Sequence, residues 1–172
     1  MSQKAPIATL VLPLLWIGDA NASANEVFFE THQVRAVLNC TPSVPNHFCQ
    51  NSNIEYMRIP VHDTLARRDI KQLYDFFPVI CEFIYKITTL QKQTLLVNCR
   101  LARQRSAASV AAYLIKYHAL TPQEAMTYLL RKKPDVFCYG KSVNFAAALN
   151  RWYHKINRER KIQDPTMVET KP

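Results

Sequence analysis

The sequence predicts an α/β sandwich built on one central sheet. Three observations carry that prediction. Apolar, β-branched runs alternate with helically spaced segments as far as residue 99. Helical segments alone follow, with no further strand-like run. The 172 residues, 48% hydrophobic and 20% charged, are enough for one domain with a real core.

The strand candidates are LLWI at 14–17, RAVLNC at 35–40, IEYMRIPV at 54–61 and TLLVNC at 94–99. Gly18, one of only two glycines, closes the first. Between them, SANEVFFETHQ at 23–33 reads as a short helix opened by a capping serine, Ser23. The segment 69–91 has apolar residues at helical spacing, with Asp69 as its cap and a kink or break expected at Pro78. The alanine-rich SAASVAAYLIKYH at 106–118 predicts a buried helix. TPQE at 121–124 is a capping box with proline at the first helical position, and it opens a helix to about Lys132. A last helix spans 142–157, so the expected domain is 1–157, followed by a loose polar tail at 158–172.

Net charge is +9 with a pI near 9.5, which favours acidic partners: phosphorylated proteins, phospholipid headgroups or nucleic acid. No run reaches the roughly 18–20 apolar residues needed to span a bilayer, so no transmembrane segment is expected. Lys4, the run APIATLVLPLLWIG and the small residues DANASA imitate a secretory signal. Pro6 and Pro13 interrupt that run, and a buried strand ending at Gly18 explains it better. Cys40, Cys49, Cys81, Cys99 and Cys138 are odd in number and irregularly spaced, which predicts reduced thiols in the cytoplasm or nucleus. No CxxC pair exists and the histidines show no ligand spacing, so neither a metal site nor a cofactor is expected.

One junction carries chemistry. In LLVNCRLARQRSAAS, residues 95–109, a strand-like run meets a polar loop and then a helix. Such a junction binds phosphate, because successive backbone N–H groups turn inward and the helix N-terminus adds roughly half a positive charge. That field favours a thiolate at Cys99, the nucleophilic form of cysteine. Arg105 can curl back from the helix start and hold two phosphoryl oxygens at once. Ser106 offers a hydroxyl to the sulfur. Cysteine with arginine six residues on is a weak signal alone, but only Cys99 among the five has it.

The loop NCRLARQRS resembles the signature His-Cys-x-x-Gly-x-x-Arg-Ser/Thr of the cysteine-based protein phosphatases, specifically their small, atypical dual-specificity group. The likeness extends over residues 7–156, through LPLLWIGDANAS, RAVLNCT, IEYMRIPVHD, AAYLIKYHALTPQEAMTYLLRKKPDV and VNFAAALNRWYHK in the family's order. The resemblance implies a three-layer domain with a mixed sheet of about five strands. It implies Cys99 as nucleophile, Arg105 as phosphate clamp, Ser106 as partner of the sulfur, and Asp63 as general acid, with Asp69 the less favoured alternative. The backbone of Arg100, Leu101, Ala102, Arg103, Gln104 and Arg105 would cradle the phosphate, with Leu101 tucked behind the loop.

Two residues depart from the signature. Asn98 replaces the histidine that helps order the loop; asparagine can donate a hydrogen bond but carries no charge. Ala102 replaces the glycine, and a Cβ there costs about 1 kcal/mol or more if the backbone requires positive φ. Three functions follow from the resemblance. The first is a phosphatase of phosphotyrosine, phosphoserine and phosphothreonine, working through a phosphocysteine. The second is the same fold acting on a polyanion, a phosphoinositide or an RNA 5′-phosphate, helped by Arg100, Arg103, Arg67 and Arg68. The third is a phosphate-binding scaffold without turnover, impaired at Ala102 and Asn98.

Overall fold

The structure, a computed structural model, describes residues 7–64, 66–138 and 145–163. Five strands form one sheet: β1 (Ala8–Leu12), β2 (Leu15–Gly18), β3 (Val34–Asn39), β4 (Glu55–Arg58) and β5 (Thr94–Asn98). Their order is β1-β2-β5-β3-β4. Only the β1–β2 pair is antiparallel; β5 lies parallel between β2 and β3. The expected mixed sheet of about five strands is what the chain forms. All five residues of β5 are buried, as befits a parallel strand covered on both faces.

Strand β1 was not separated from β2 in the sequence, because the turn between them lacks the usual residues. Pro13 and Leu14 join the strands, and Leu14 takes φ 64°, a position normally given to glycine or asparagine. The segment that imitates a secretory signal is therefore a hairpin whose second strand is bonded to the centre of the sheet. Gly18 ends it where a side chain would collide, since a Cβ would sit 2.7 Å from Ala22 Cβ and 2.9 Å from Leu96 Cδ1.

Helices cover both faces. On one, α1 (Glu26–Thr31) packs Phe28 and Phe29 against Val37 and Leu96. Its cap is Asn25 rather than the expected Ser23: Asn25 Oδ1 accepts from Phe28 N at 2.7 Å, while Ser23 Oγ donates to Ala20 O. On the other face lie α2 (Arg67–Tyr85), α3 (Arg105–Tyr117), α4 (Pro122–Lys132) and α5 (Ala146–Gln163). The alanines of α3 let it sit between the sheet and its neighbouring helices, burying every residue from Arg105 to Ile115. Helix α4 begins with the expected capping box of Thr121 and Glu124.

Helix α2 differs from its prediction at its start and at Pro78. It starts at Arg67, so Asp69 lies inside the first turn and is not the cap. It also runs through Pro78 without a break and continues as a π-helical turn at Lys86–Leu90. Of the expected last helix, 142–144 fall outside the described residues; α5 runs from Ala146 and continues to Gln163 rather than ending near Asn157. Arg160 holds that extension in place: its guanidinium donates to Ile115 O at 3.1 Å and Lys116 O at 2.7 Å, capping the carbonyl end of α3. Of the expected loose tail, 164–172 lie outside the described residues.

Candidate active site

Side chains alternate along β5, so Leu95, Val97 and Cys99 face the helices α2–α5 while Leu96 faces α1. Cys99 thus arrives at the carboxyl end of the central strand, beneath the N-terminus of α3 and 1% exposed. Its sulfur lies 3.3 Å from Ser106 Oγ. Two carbonyls of the following loop are tied outward: Arg100 O accepts from Ala20 N at 3.3 Å, and Arg103 O from Phe137 N at 2.9 Å. In a trans peptide the N–H opposes the preceding carbonyl, so the amides of Leu101 and Gln104 point away from Ala20 and Phe137.

Ala102 stands at φ 57° and is 3% exposed. This is the left-handed conformation that the glycine of the signature would adopt without strain. The turn sends Ala102 inward and Leu101 outward. Leu101 is 52% exposed and lines the cleft, contrary to the expectation that it tucks behind the loop.

Arg105, the first residue of α3, reaches across to the segment after β4. Its Nη1 donates to Val61 O at 2.9 Å, and its Nε lies 3.4 Å from Asp63 Oδ2, an ion pair longer than a hydrogen bond. Cys99, Arg105 and Asp63, far apart in sequence, line one cleft of about 480 Å³. Burial raises the pKa of the Asp63 carboxyl; Arg105 opposes this and the Asp69 charge adds to it. The acid form therefore persists to higher pH than in an ordinary aspartate.

Asp69 has a different task from the cap or acid expected of it. Its Oδ2 accepts from Thr64 N at 2.9 Å and from Thr64 Oγ1 at 2.5 Å, which holds the segment next to Asp63 against α2. Burial works against its charge, yet those two bonds prevail, with help from Arg68 and His62, and hold its pKa below the usual value.

Asn98 does not support the loop through its side chain. Both its Nδ2 and Oδ1 are buried without a hydrogen-bond partner, and its backbone carbonyl accepts from Cys40 N at 2.8 Å. The strand turns this residue toward the face opposite Cys99, and its short amide finds no partner there. Arg100 is exposed on the cleft wall. Arg103 also lines the cleft, and its Nε lies 3.4 Å from Asp135 Oδ2. Arg68 pairs with Asp69 at 3.5 Å.

The opposite wall, Thr41, Pro42 and Ser43, and the residues His62 and Thr64 were missed in the sequence. Arg58 fixes that wall by donating to Thr41 O, Val44 O and Asn46 Oδ1, and Asn39 by donating to Val44 O and Asn46 Oδ1. The signal that could have found it is position: residues just past the ends of neighbouring parallel strands line the crevice.

The catalytic-domain model of the dual specificity phosphatases matches residues 15–155. The chain belongs to that family. Human dual specificity protein phosphatase 18 is 34% identical over 122 residues, which make up 71% of this chain and 61% of that protein. Human dual specificity protein phosphatase 9 is 32% identical over 133 residues, 77% of this chain and 33% of that protein. The chain thus spans from a third to three fifths of these curated relatives. Among solved structures, human DUSP28 superimposes with a TM-score of 0.72 at 22% identity, covering 91% of this chain and 99% of that one. DUSP15 does so at 0.75 and 20%, covering 95% and 98%. PTPMT1, solved in complex with PI(5)P, gives 0.70 and 21%, covering 90% and 99%. The dual-specificity fold, expected from the loop and from the order of the flanking segments, is the fold present.

Proposed function

We propose that the protein hydrolyses phosphate monoesters on proteins, phosphotyrosine with phosphoserine and phosphothreonine, through a phosphocysteine. One observation carries the reading: Cys99, Arg105 and Asp63 line a single cleft at the N-terminus of α3, with Ser106 Oγ 3.3 Å from the Cys99 sulfur. In the first step the Cys99 sulfur attacks phosphorus, the bond to the leaving oxygen breaks, and Asp63 gives that oxygen its proton. Arg105 and the loop amides stabilise the charge on the equatorial oxygens. In the second, water attacks phosphorus, Asp63 takes its proton, and the S–P bond breaks, with Ser106 donating to the departing sulfur. All the chemistry is done by side chains and backbone, so no cofactor enters the scheme.

A phosphoinositide or RNA 5′-phosphate is the weaker reading. The exposed Arg100 favours it, but the Arg103 charge already faces Asp135 and that of Arg68 faces Asp69. A pure scaffold has no need of a thiol and a carboxyl beside the arginine in one cleft. The site in a reducing compartment, cytoplasmic or nuclear, accords with the five free cysteines.

The test is turnover of a small aryl phosphate by the wild type, Cys99→Ser and Asp63→Asn. The wild type turns over, Cys99→Ser does not, and Asp63→Asn is slowed. Equal rates in all three sink the enzyme reading. Strong activity on phosphoinositide vesicles that Arg100→Ala with Arg103→Ala abolishes would replace protein by lipid as the substrate.

A further inference from the structure

Among the described residues, five buried side-chain polar atoms lack a hydrogen-bond partner: Asn98 Nδ2 and Oδ1, Gln104 Nε2 and Oε1, and Arg105 Nε. All five belong to the phosphate loop or the residue before it. Leaving such groups unpaired costs about 1–3 kcal/mol each, so each one asks for a reason. Asn98 faces away from the cleft, and Arg105 already has its role. Gln104 has none.

Gln104 is 1% exposed and is one of the residues lining the same cleft as Cys99, Asp63 and Arg105, with both amide atoms shut off from solvent until the side chain turns toward the cleft. It precedes the 13-residue helix α3, yet its side chain makes no capping bond, and only its carbonyl serves the helix, accepting from Ala108 N at 2.8 Å. Neither secondary structure nor packing calls for an amide at this place; an apolar side chain of equal length would fill it at less cost.

We propose that the Gln104 carboxamide is a direct ligand of the bound phosphoryl group, with Nε2 donating to a phosphoryl oxygen. This assignment rests on the phosphatase reading and adds a side-chain donor to the backbone amides that a loop of this kind supplies. A neutral, directional donor suits the position. Arg105 already provides the charge, and a second cation beside it would be repelled. The amide's two donors and one acceptor also let Oε1 hold a water at the edge of the oxyanion while Nε2 holds the oxyanion itself.

The experiment measures thermal unfolding and orthovanadate binding in the wild type, Gln104→Met and Gln104→Glu. Gln104→Met keeps the length and removes the amide, so without vanadate it unfolds at or above the wild-type temperature. Its affinity for vanadate falls about tenfold, the equivalent of one hydrogen bond to a charged group, and kcat/KM for an aryl phosphate falls in parallel. Gln104→Glu sets a carboxylate against the oxyanion and weakens binding further, with recovery as acidification protonates it. If Gln104→Met binds vanadate as tightly as the wild type, the assignment is wrong. Should that variant not fold, Gln104→Asn decides: the shortened amide weakens vanadate binding if Gln104 is a ligand, and an unchanged affinity overturns the proposal. A wild type that itself binds no vanadate would instead count against the phosphatase reading.

Discussion

Arg105 Nε lies 3.4 Å from Asp63 Oδ2 while Nη1 of the same guanidinium holds the carbonyl of Val61. One side chain thus grips the acid-bearing segment and faces the phosphate cleft. Arg105→Lys keeps a charge but has no second arm, so it loses either the Val61 anchor or the phosphate. We expect kcat/KM for an aryl phosphate to fall at least a hundredfold, about 2.7 kcal/mol of transition-state stabilisation. A fall of less than threefold in steady-state assays would show that the fork is dispensable.

The raised pKa of Asp63 sets a pH dependence. The general acid works only when protonated, so activity on substrates with poor leaving groups declines as pH rises through a pKa above the ordinary 3.8. Asp63→Asn removes that decline and makes the rate depend more steeply on leaving-group pKa. Rate–pH profiles with nitrophenyl and alkyl phosphates check this; a mutant that keeps the wild-type profile would assign the acid to another residue.

Thr64 and Asp69 form a separate brace. Asp69→Asn weakens two hydrogen bonds to a charged acceptor, which costs about 1.5–3 kcal/mol and frees the segment carrying Asp63. We expect a lower melting temperature and slower turnover of alkyl phosphates, with smaller losses for good leaving groups. The sign with pH follows from the lowered pKa: the brace is intact above the ordinary carboxyl value of 3.8 and is lost as pH falls through the depressed folded value. Urea titrations of wild type and mutant should therefore converge in strong acid.

Ala102→Gly relieves a residue at φ 57°. The relief, about 1–2 kcal/mol, is nearly matched by loss of a buried methyl, about 0.8 kcal/mol, and by the freer unfolded chain, about 0.4–1 kcal/mol. Melting should move by no more than about 3 °C. Kinetics is the sharper readout, since a glycine lets the loop close more tightly on the oxyanion. We expect kcat/KM to rise several-fold, and further when Asn98→His is added; unchanged kinetics would show that neither departure limits the enzyme.

Much of this was legible in the sequence, for identifiable reasons. The apolar runs of β2, β3 and β5, the capping box at Thr121 and the strand–loop–helix junction at Cys99 are local patterns, and each formed as its pattern required. The signature raised the question of positive φ at Ala102, and the structure answers it with φ 57°. Other features depend on contacts between distant segments. β1 was hidden by a turn with Leu14 at a glycine-like position. Asp69 looked like a cap until Thr64 was seen to use it. The extension of α5 depends on Arg160 meeting the end of α3, 44 residues away. The unpaired amide of Gln104 is visible only once everything around it has been placed.

The most direct test of the account is to look for phosphate on sulfur. Asp63→Asn, mixed rapidly with an aryl phosphate and quenched in denaturant, should release a burst of phenol equal to the enzyme present. The peptide containing Cys99 should then carry one phosphoryl group, absent from the Cys99→Ser protein. Turnover with no phosphoryl group on that peptide, or with the group on another residue, would contradict it.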